Sequence, residues 1–138
     1  MNSSDLSIEV NIVVPFHDVD AMKVVWHGNY FRYFEVAREA LLGKFGYGYR
    51  AMEASGYAWP VVDTRVKYRQ AVSFEQAIRV RATIVEYENR LRIDYVIFDE
   101  AGRRTTTGYT IQVAVAIASR EMCFVSPPVL LEKLGVTL

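Results

Sequence analysis

Apolar residues recur along this chain in two rhythms, and the change from one to the other divides it. Ile8, Val10, Ile12 and Val14 alternate with Ser7, Glu9, Asn11 and Val13, the period of two that marks a half-buried strand. This predicts a strand over residues 8–16 that Pro15 ends. From about residue 28 to 45 the spacing changes: Tyr30, Tyr33, Phe34, Ala37, Leu41 and Phe45 recur at three and four, which gathers them on one side of a helix. Phe31, Val36 and Leu42 widen that arc, while Arg32, Glu35, Arg38 and Glu39 fall largely on the other side. The expected helix is wrapped on much of its circumference.

A glycine-rich exit, Gly43-Lys44-Phe45-Gly46-Tyr47-Gly48, closes the helix, one of its glycines taking a left-handed conformation. Residues 49–55 predict one or two further helical turns stopped at Gly56. From Tyr57 the period returns to two. Residues 59–68, 77–87, 91–99 and 105–118 each read as a strand, the last three as a continuous antiparallel meander with a turn at Asp99-Glu100-Ala101-Gly102. Val80, Ala82 and Ile84 oppose Arg79, Arg81 and Thr83. Ile111, Val113, Val115 and Ile117 oppose Gln112, Ala114, Ala116 and Ala118, a small face that lets another layer approach closely. Pro127 and Pro128 open a short terminal helix. One sheet curled around a central helix, an α+β arrangement in a single domain over residues 1–138, satisfies this order.

With 138 residues, 51% hydrophobic and 13% aromatic, the chain can build a substantial core. Sixteen basic and sixteen acidic residues balance, which excludes the electrostatic footprint of a general nucleic-acid binder. The lone Cys123 forms no intramolecular disulfide, the N-terminus lacks a signal-peptide pattern, and the longest apolar run, residues 113–118, is far too short to span a bilayer. A cytoplasmic protein without a membrane span is expected.

Chemistry concentrates at residues 16–33, where two histidines and two aspartates precede the long helix. A helix start presents unpaired backbone N–H groups and partial positive charge, so negative charge developing there is stabilised. On spacing alone Asp20 reads more readily as a turn or cap residue than as a catalyst, His17 as structural, and His27 as a hydrogen-bonding residue at the helix start.

Asp18-Val19-Asp20, then Val24-Val25-Trp26-His27-Gly28-Asn29-Tyr30 and Glu35-Val36-Ala37-Arg38, resembles the signature of hotdog-fold thioesterases of the 4-hydroxybenzoyl-CoA thioesterase type. The resemblance implies a sheet of about five antiparallel strands around the central helix and hydrolysis of an acyl-CoA or acyl-carrier-protein thioester. It makes Asp20 the catalytic carboxylate, as nucleophile or as base toward water. Seven residues on, the backbone N–H of His27 becomes the oxyanion contact. A thioester needs an oxygen nucleophile and a donor aimed at its carbonyl, and its thiolate leaves readily, so no metal or redox cofactor is required. Coenzyme A enters as part of the substrate only. Val25, Trp26, Gly28, Tyr30 and Trp59 are expected to contact substrate, the aromatics lining an acyl tunnel, although such aromatics also read as plain core. Asp18 orients the loop, and Glu35 pairs with Arg32 and Arg38. Arg65, Lys67 and Arg69 alternate along one strand face and could meet phosphates or an acidic carrier, although a solvated strand face explains them equally well. A homodimer or homotetramer sharing the site between subunits is implied too.

The chain departs from the family pattern at Lys23, where a glycine is usual, and at Ala71 and Glu75-Gln76, where a proline and an aspartate are typical. Lys23 is expected at the mouth of the site. A dehydratase on the same fold would carry a His followed by Phe-Pro-Gly, which is absent, and a non-catalytic acyl-carrier-binding protein would have no use for Asp20 beside an apolar pocket.

Overall fold

The computed structural model describes residues 6–18, 20, 22, 29–70, 72 and 75–137. Strand β1 (Ser7–Val13) leads through a single 3-10 turn (Phe16–Asp18) toward helix α1 (Asn29–Lys44). Helix α2 (Tyr49–Ala54) and short strand β2 (Tyr57–Ala58) follow. Strands β3 (Val61–Tyr68), β4 (Ala77–Glu86), β5 (Leu91–Phe98) and β6 (Arg104–Gln112), short strand β7 (Val115–Ala116) and helix α3 (Pro128–Leu134) complete the chain. The main sheet is antiparallel, in the order β1-β4-β5-β6-β3, and β2 pairs with β7 in a separate ribbon.

Helix α1 buries Tyr30, Tyr33, Phe34, Ala37, Leu41 and Leu42. Inward-facing Ile78, Val80, Ala82 and Ile84 of β4 and Leu91, Ile93, Tyr95 and Ile97 of β5 belong to the same core. Each large side chain buried this way contributes about 1.5–3 kcal/mol. Phe34 stacks on Tyr95 with ring centroids 4.4 Å apart. Helix and sheet also meet tightly at Gly108 of β6, where a Cβ would stand 2.7 Å from the Phe34 ring and 2.5 Å from the Arg65 carbonyl oxygen. Gly46 closes the α1 exit with φ 70° and Gly56 stops α2 with φ 92°, as the glycine pattern predicts.

Several boundaries differ from the sequence reading. β1 stops at Val13, because the chain leaves the ladder as it approaches Pro15 and turns at Phe16–Asp18. The strand expected over 59–68 is divided at Trp59 and Pro60 into β2 and β3, proline having no N–H for a ladder. The strand expected over 105–118 is likewise two, β6 and β7, and the close approach occurs at Gly108, on the face of β6 that Gln112 shares. Thr106, Gly108, Thr110 and Gln112 turn toward α1, since they pair in register with the inward residues Ile97, Tyr95, Ile93 and Leu91. Phe31 and Val36, expected within the buried arc, are 41% and 44% exposed, because the sheet covers α1 from one side only.

Candidate active site

The 3-10 turn delivers Asp18 to the start of α1, where it is 1% exposed. Its carboxylate accepts a hydrogen bond from Tyr33 Oη at 2.7 Å and a second from Arg32 Nη2, and His17 Nε2 lies 3.4 Å away. Asn29 Nδ2 donates to the Asp18 carbonyl at 2.9 Å. Three residues from the beginning of α1 thus hold one loop aspartate. Burial pushes the Asp18 carboxyl up, yet the hydrogen bonds from Arg32 and Tyr33 and the Arg32 charge outweigh it and hold it below its ordinary value. The Tyr33 hydroxyl moves the other way, raised by burial and by its bond to the carboxylate. The expectation that Asp18 orients the loop thereby acquires named partners.

Asp20, two residues on, is exposed. Its Oδ1 accepts the backbone N–H of Met22 at 2.8 Å, an Asx turn that fixes the carboxylate against its own loop. Lys23, Val25, Trp26, His27 and Gly28 lie outside the described residues, as does Ala71. Helix α1 carries no acidic residue in its first turn, so its positive end is not neutralised from within.

The two aromatics expected along an acyl tunnel are described, and they stand apart. Tyr30 is buried edge-on between Tyr33 and Tyr68, at centroid distances of 6.2 and 5.0 Å, where burial raises its hydroxyl. Trp59 is buried farther along α1; its Nε1 donates to Tyr47 Oη at 3.1 Å and it borders a cavity beside the C-terminal half of α1. Glu35 borders the same cavity and pairs loosely with Arg38 at 3.6 Å. Its other expected partner, Arg32, is taken by Asp18. Arg65 and Lys67 are exposed on the outer face of β3, whereas Arg69 lies past the strand end, its backbone N–H on the Thr105 carbonyl. No cluster of metal-ligating side chains occurs among the described residues.

Sequence reasoning missed Gln112, a buried amide bordering the cavity. Its signal was a polar residue on the small face of the last strand, the face open to another layer.

Residues 14–134 match the family model described as the thioesterase-like superfamily. The chain belongs to that superfamily. A Bacillus subtilis protein provisionally named acyl-CoA thioesterase YneP is 30% identical over 105 residues, 75% of this chain and 76% of its own. The structure of a DHNA-CoA thioesterase from Staphylococcus aureus is 30% identical, superposes with a TM-score of 0.78, and covers 86% of this chain against 80% of its own. A hypothetical protein from Aquifex aeolicus gives 25% identity and a TM-score of 0.83 over 92% and 98%. This member of the superfamily has the hotdog fold, its sheet wrapped around α1 as the sequence resemblance implied, and it is a thioester hydrolase. Among the described residues no helix is long and apolar enough to cross a membrane.

Proposed function

We propose that this thioesterase is a cytoplasmic enzyme that hydrolyses an acyl-CoA thioester, with Asp20 as the reacting carboxylate and the backbone N–H of His27 as the oxyanion contact. The observation that carries the reading is the Asp18 clamp: a carboxylate gripped by Arg32 and Tyr33, with Asn29 on its carbonyl, ties the loop bearing Asp20 to the start of α1. A thioester carbonyl lying between that loop and the helix start would meet an oxygen nucleophile on one side and a positive helix end on the other. Asp20 either attacks the carbonyl carbon, giving a mixed anhydride that water then opens, or takes a proton from water as that water attacks. Both routes consume one water and release a carboxylic acid and a thiol. The acyl-CoA names borne by the B. subtilis and S. aureus relatives favour coenzyme A over a carrier protein.

The functional unit in this reading is a homodimer joined through β3. Nearly every residue of that edge strand is exposed, Val61, Val62 and Tyr68 among them, and an uncovered edge is a template for pairing with a second strand. Lys23 is assigned to the mouth of the site, where it holds Asp20 ionised or meets an anionic part of the substrate; unchanged activity and substrate preference in Lys23→Gly would overturn that role.

Thiol release from a panel of acyl-CoA and acyl-carrier-protein thioesters, corrected for the background from Cys123, tests the reaction. Asp20→Asn is expected to lower kcat by about a hundredfold or more. A wild type that releases no thiol from any substrate, or an Asp20→Asn enzyme of unchanged rate, would overturn it.

A further inference from the structure

The first turn of α1 is tied by its side chains to two different neighbours. Asn29, Arg32 and Tyr33 hold the turn at Asp18. Tyr30, about 100° round the helix from Asn29, reaches elsewhere: its hydroxyl hydrogen-bonds the Val72 backbone and the Thr106 side chain, and its ring meets Tyr68 edge-on at 5.0 Å. Val72 and Thr106 are both fully buried, and Thr106 pairs in register with Tyr68 of β3 and Ile97 of β5. Tyr30 thus fastens the helix start to an interior strand of the sheet.

The stretch that carries Val72 returns to the turn before the helix. Val14 N–H donates to the Gln76 carbonyl and Glu75 N–H to the Val14 carbonyl, each at 3.0 Å, one residue before Pro15. Glu75 keeps φ 66° there, a left-handed backbone that a residue other than glycine holds only where its surroundings impose it. These bonds close a ring: Asp18 to α1, α1 through Tyr30 to Val72, and Gln76 back to Val14. Asp20 lies two residues beyond Asp18, so what holds the ring also holds the root of its loop. Burial raises the Tyr30 hydroxyl, which keeps it protonated at neutral pH and outside proton transfer. At 3% exposure Tyr30 has little surface to offer a substrate.

We propose that Tyr30 is a positioning residue of the thioesterase reaction: its hydroxyl, held by Val72 and Thr106, sets the helix start against the turn that leads to Asp20, without touching substrate. The inference rests on the thioesterase reading and deepens it. A carboxylate and a helix end that act on one carbonyl must keep a fixed separation, and a misplacement of about 1 Å is enough to cost roughly a hundredfold in rate. Contacts with the rest of the substrate do not depend on that separation, so the loss falls on kcat and spares KM.

Thiol release is measured for the wild type, Tyr30→Phe, Thr106→Val and the double variant, alongside amide hydrogen exchange followed by NMR. Tyr30→Phe is expected to lose about tenfold in kcat, the worth of a hydrogen bond, with KM within about twofold and a pH profile of unchanged shape. Thr106→Val is expected to lose less, and the double variant no more than Tyr30→Phe, because the two share a bond. The Val14 and Glu75 amides should exchange about tenfold faster in Tyr30→Phe relative to those of β5. Thr106→Val carries the comparison should Tyr30→Phe fail to fold. A raised KM with kcat unchanged would make Tyr30 a substrate contact, and a loss of thermal stability alone would make it core; either would overturn the proposal, as would unmoved exchange at Val14 and Glu75. A wild type that releases no thiol would refute the thioesterase reading, and the exchange comparison would still decide whether Tyr30 holds the ring.

Discussion

Tyr33 Oη donates a 2.7 Å hydrogen bond to Asp18 Oδ2, fastening the turn before α1 to the body of the helix through a pair of buried groups. Arg32 reaches the other carboxylate oxygen from a half-exposed position, its side chain 47% accessible. Solvent therefore screens the arginine more than the tyrosine, and the buried hydrogen bond is the firmer of the two anchors.

Asp18→Asn should destabilise the fold by about 1–3 kcal/mol, the cost of disrupting a buried hydrogen-bonded group, measured by urea unfolding at neutral pH. A loss of less than about 0.5 kcal/mol would show that the clamp does not hold the loop.

The same residue sets part of the acid response. Asp18 titrates below its ordinary 3.8 in the folded protein, so the unfolded chain takes up its proton first as pH falls. Its contribution to stability is complete above that value and is lost as pH descends through the folded one. Asp99 moves in the same direction, held down first by the Arg103 backbone N–H and then by its guanidinium. Unfolding free energies between about pH 2 and 6 should fall less steeply for Asp18→Asn than for the wild type, with the Asp99 share remaining.

Tyr33→Phe removes one donor and leaves Arg32 in place. It should cost about 1 kcal/mol and raise the acidity range over which Asp18 titrates, visible as an upward shift of its carboxyl signal in an NMR titration. An unmoved signal would mean that Arg32 alone sets the charge state.

Val62→Lys places a charge on the exposed edge strand, where Val62 is 56% accessible, and charged side chains there oppose strand pairing. Sedimentation should show a shift from dimer to monomer, with thiol release falling alongside. A dimer that persists would exclude β3 as the joint.

Gly108→Ala should cost about 1–3 kcal/mol or more, since the new methyl group meets both the Phe34 ring and the Arg65 carbonyl. Pairing it with Phe34→Leu should recover only part of the loss in thermal unfolding, because the backbone carbonyl has no room to yield. Full recovery would show that the ring alone limits the approach.

Local rules made much of this chain legible. The three-and-four spacing from Tyr30 to Leu41 located α1, and alternation on β4 assigned its buried face correctly, because both follow from periods that one buried side imposes. Alternation put Gln112 on the small face of the last strand, where another layer can approach, but gave no sign that Thr106, Gly108 and Thr110 turn inward with it. Tertiary contacts satisfy some of them, as when Thr110 Oγ1 lies 2.8 Å from Tyr95 Oη, and no local pattern announces such a partner. Asp18 was legible as a loop residue, while its bonds to Arg32 and Tyr33 depend on how the turn folds back on the helix. The strand over 59–68 was broken by Pro60, a signal present in the sequence and outweighed by the apolar run around it.

Gly108 fixes the distance between sheet and helix at one point, and the cavity lies elsewhere, toward the end of α1. The spacing of the two layers and the shape of that cavity are thereby set by different residues. Substitutions among Met52, Val115 and Gln112 can therefore reshape that cavity while the seat of α1 at Gly108 stays as it is.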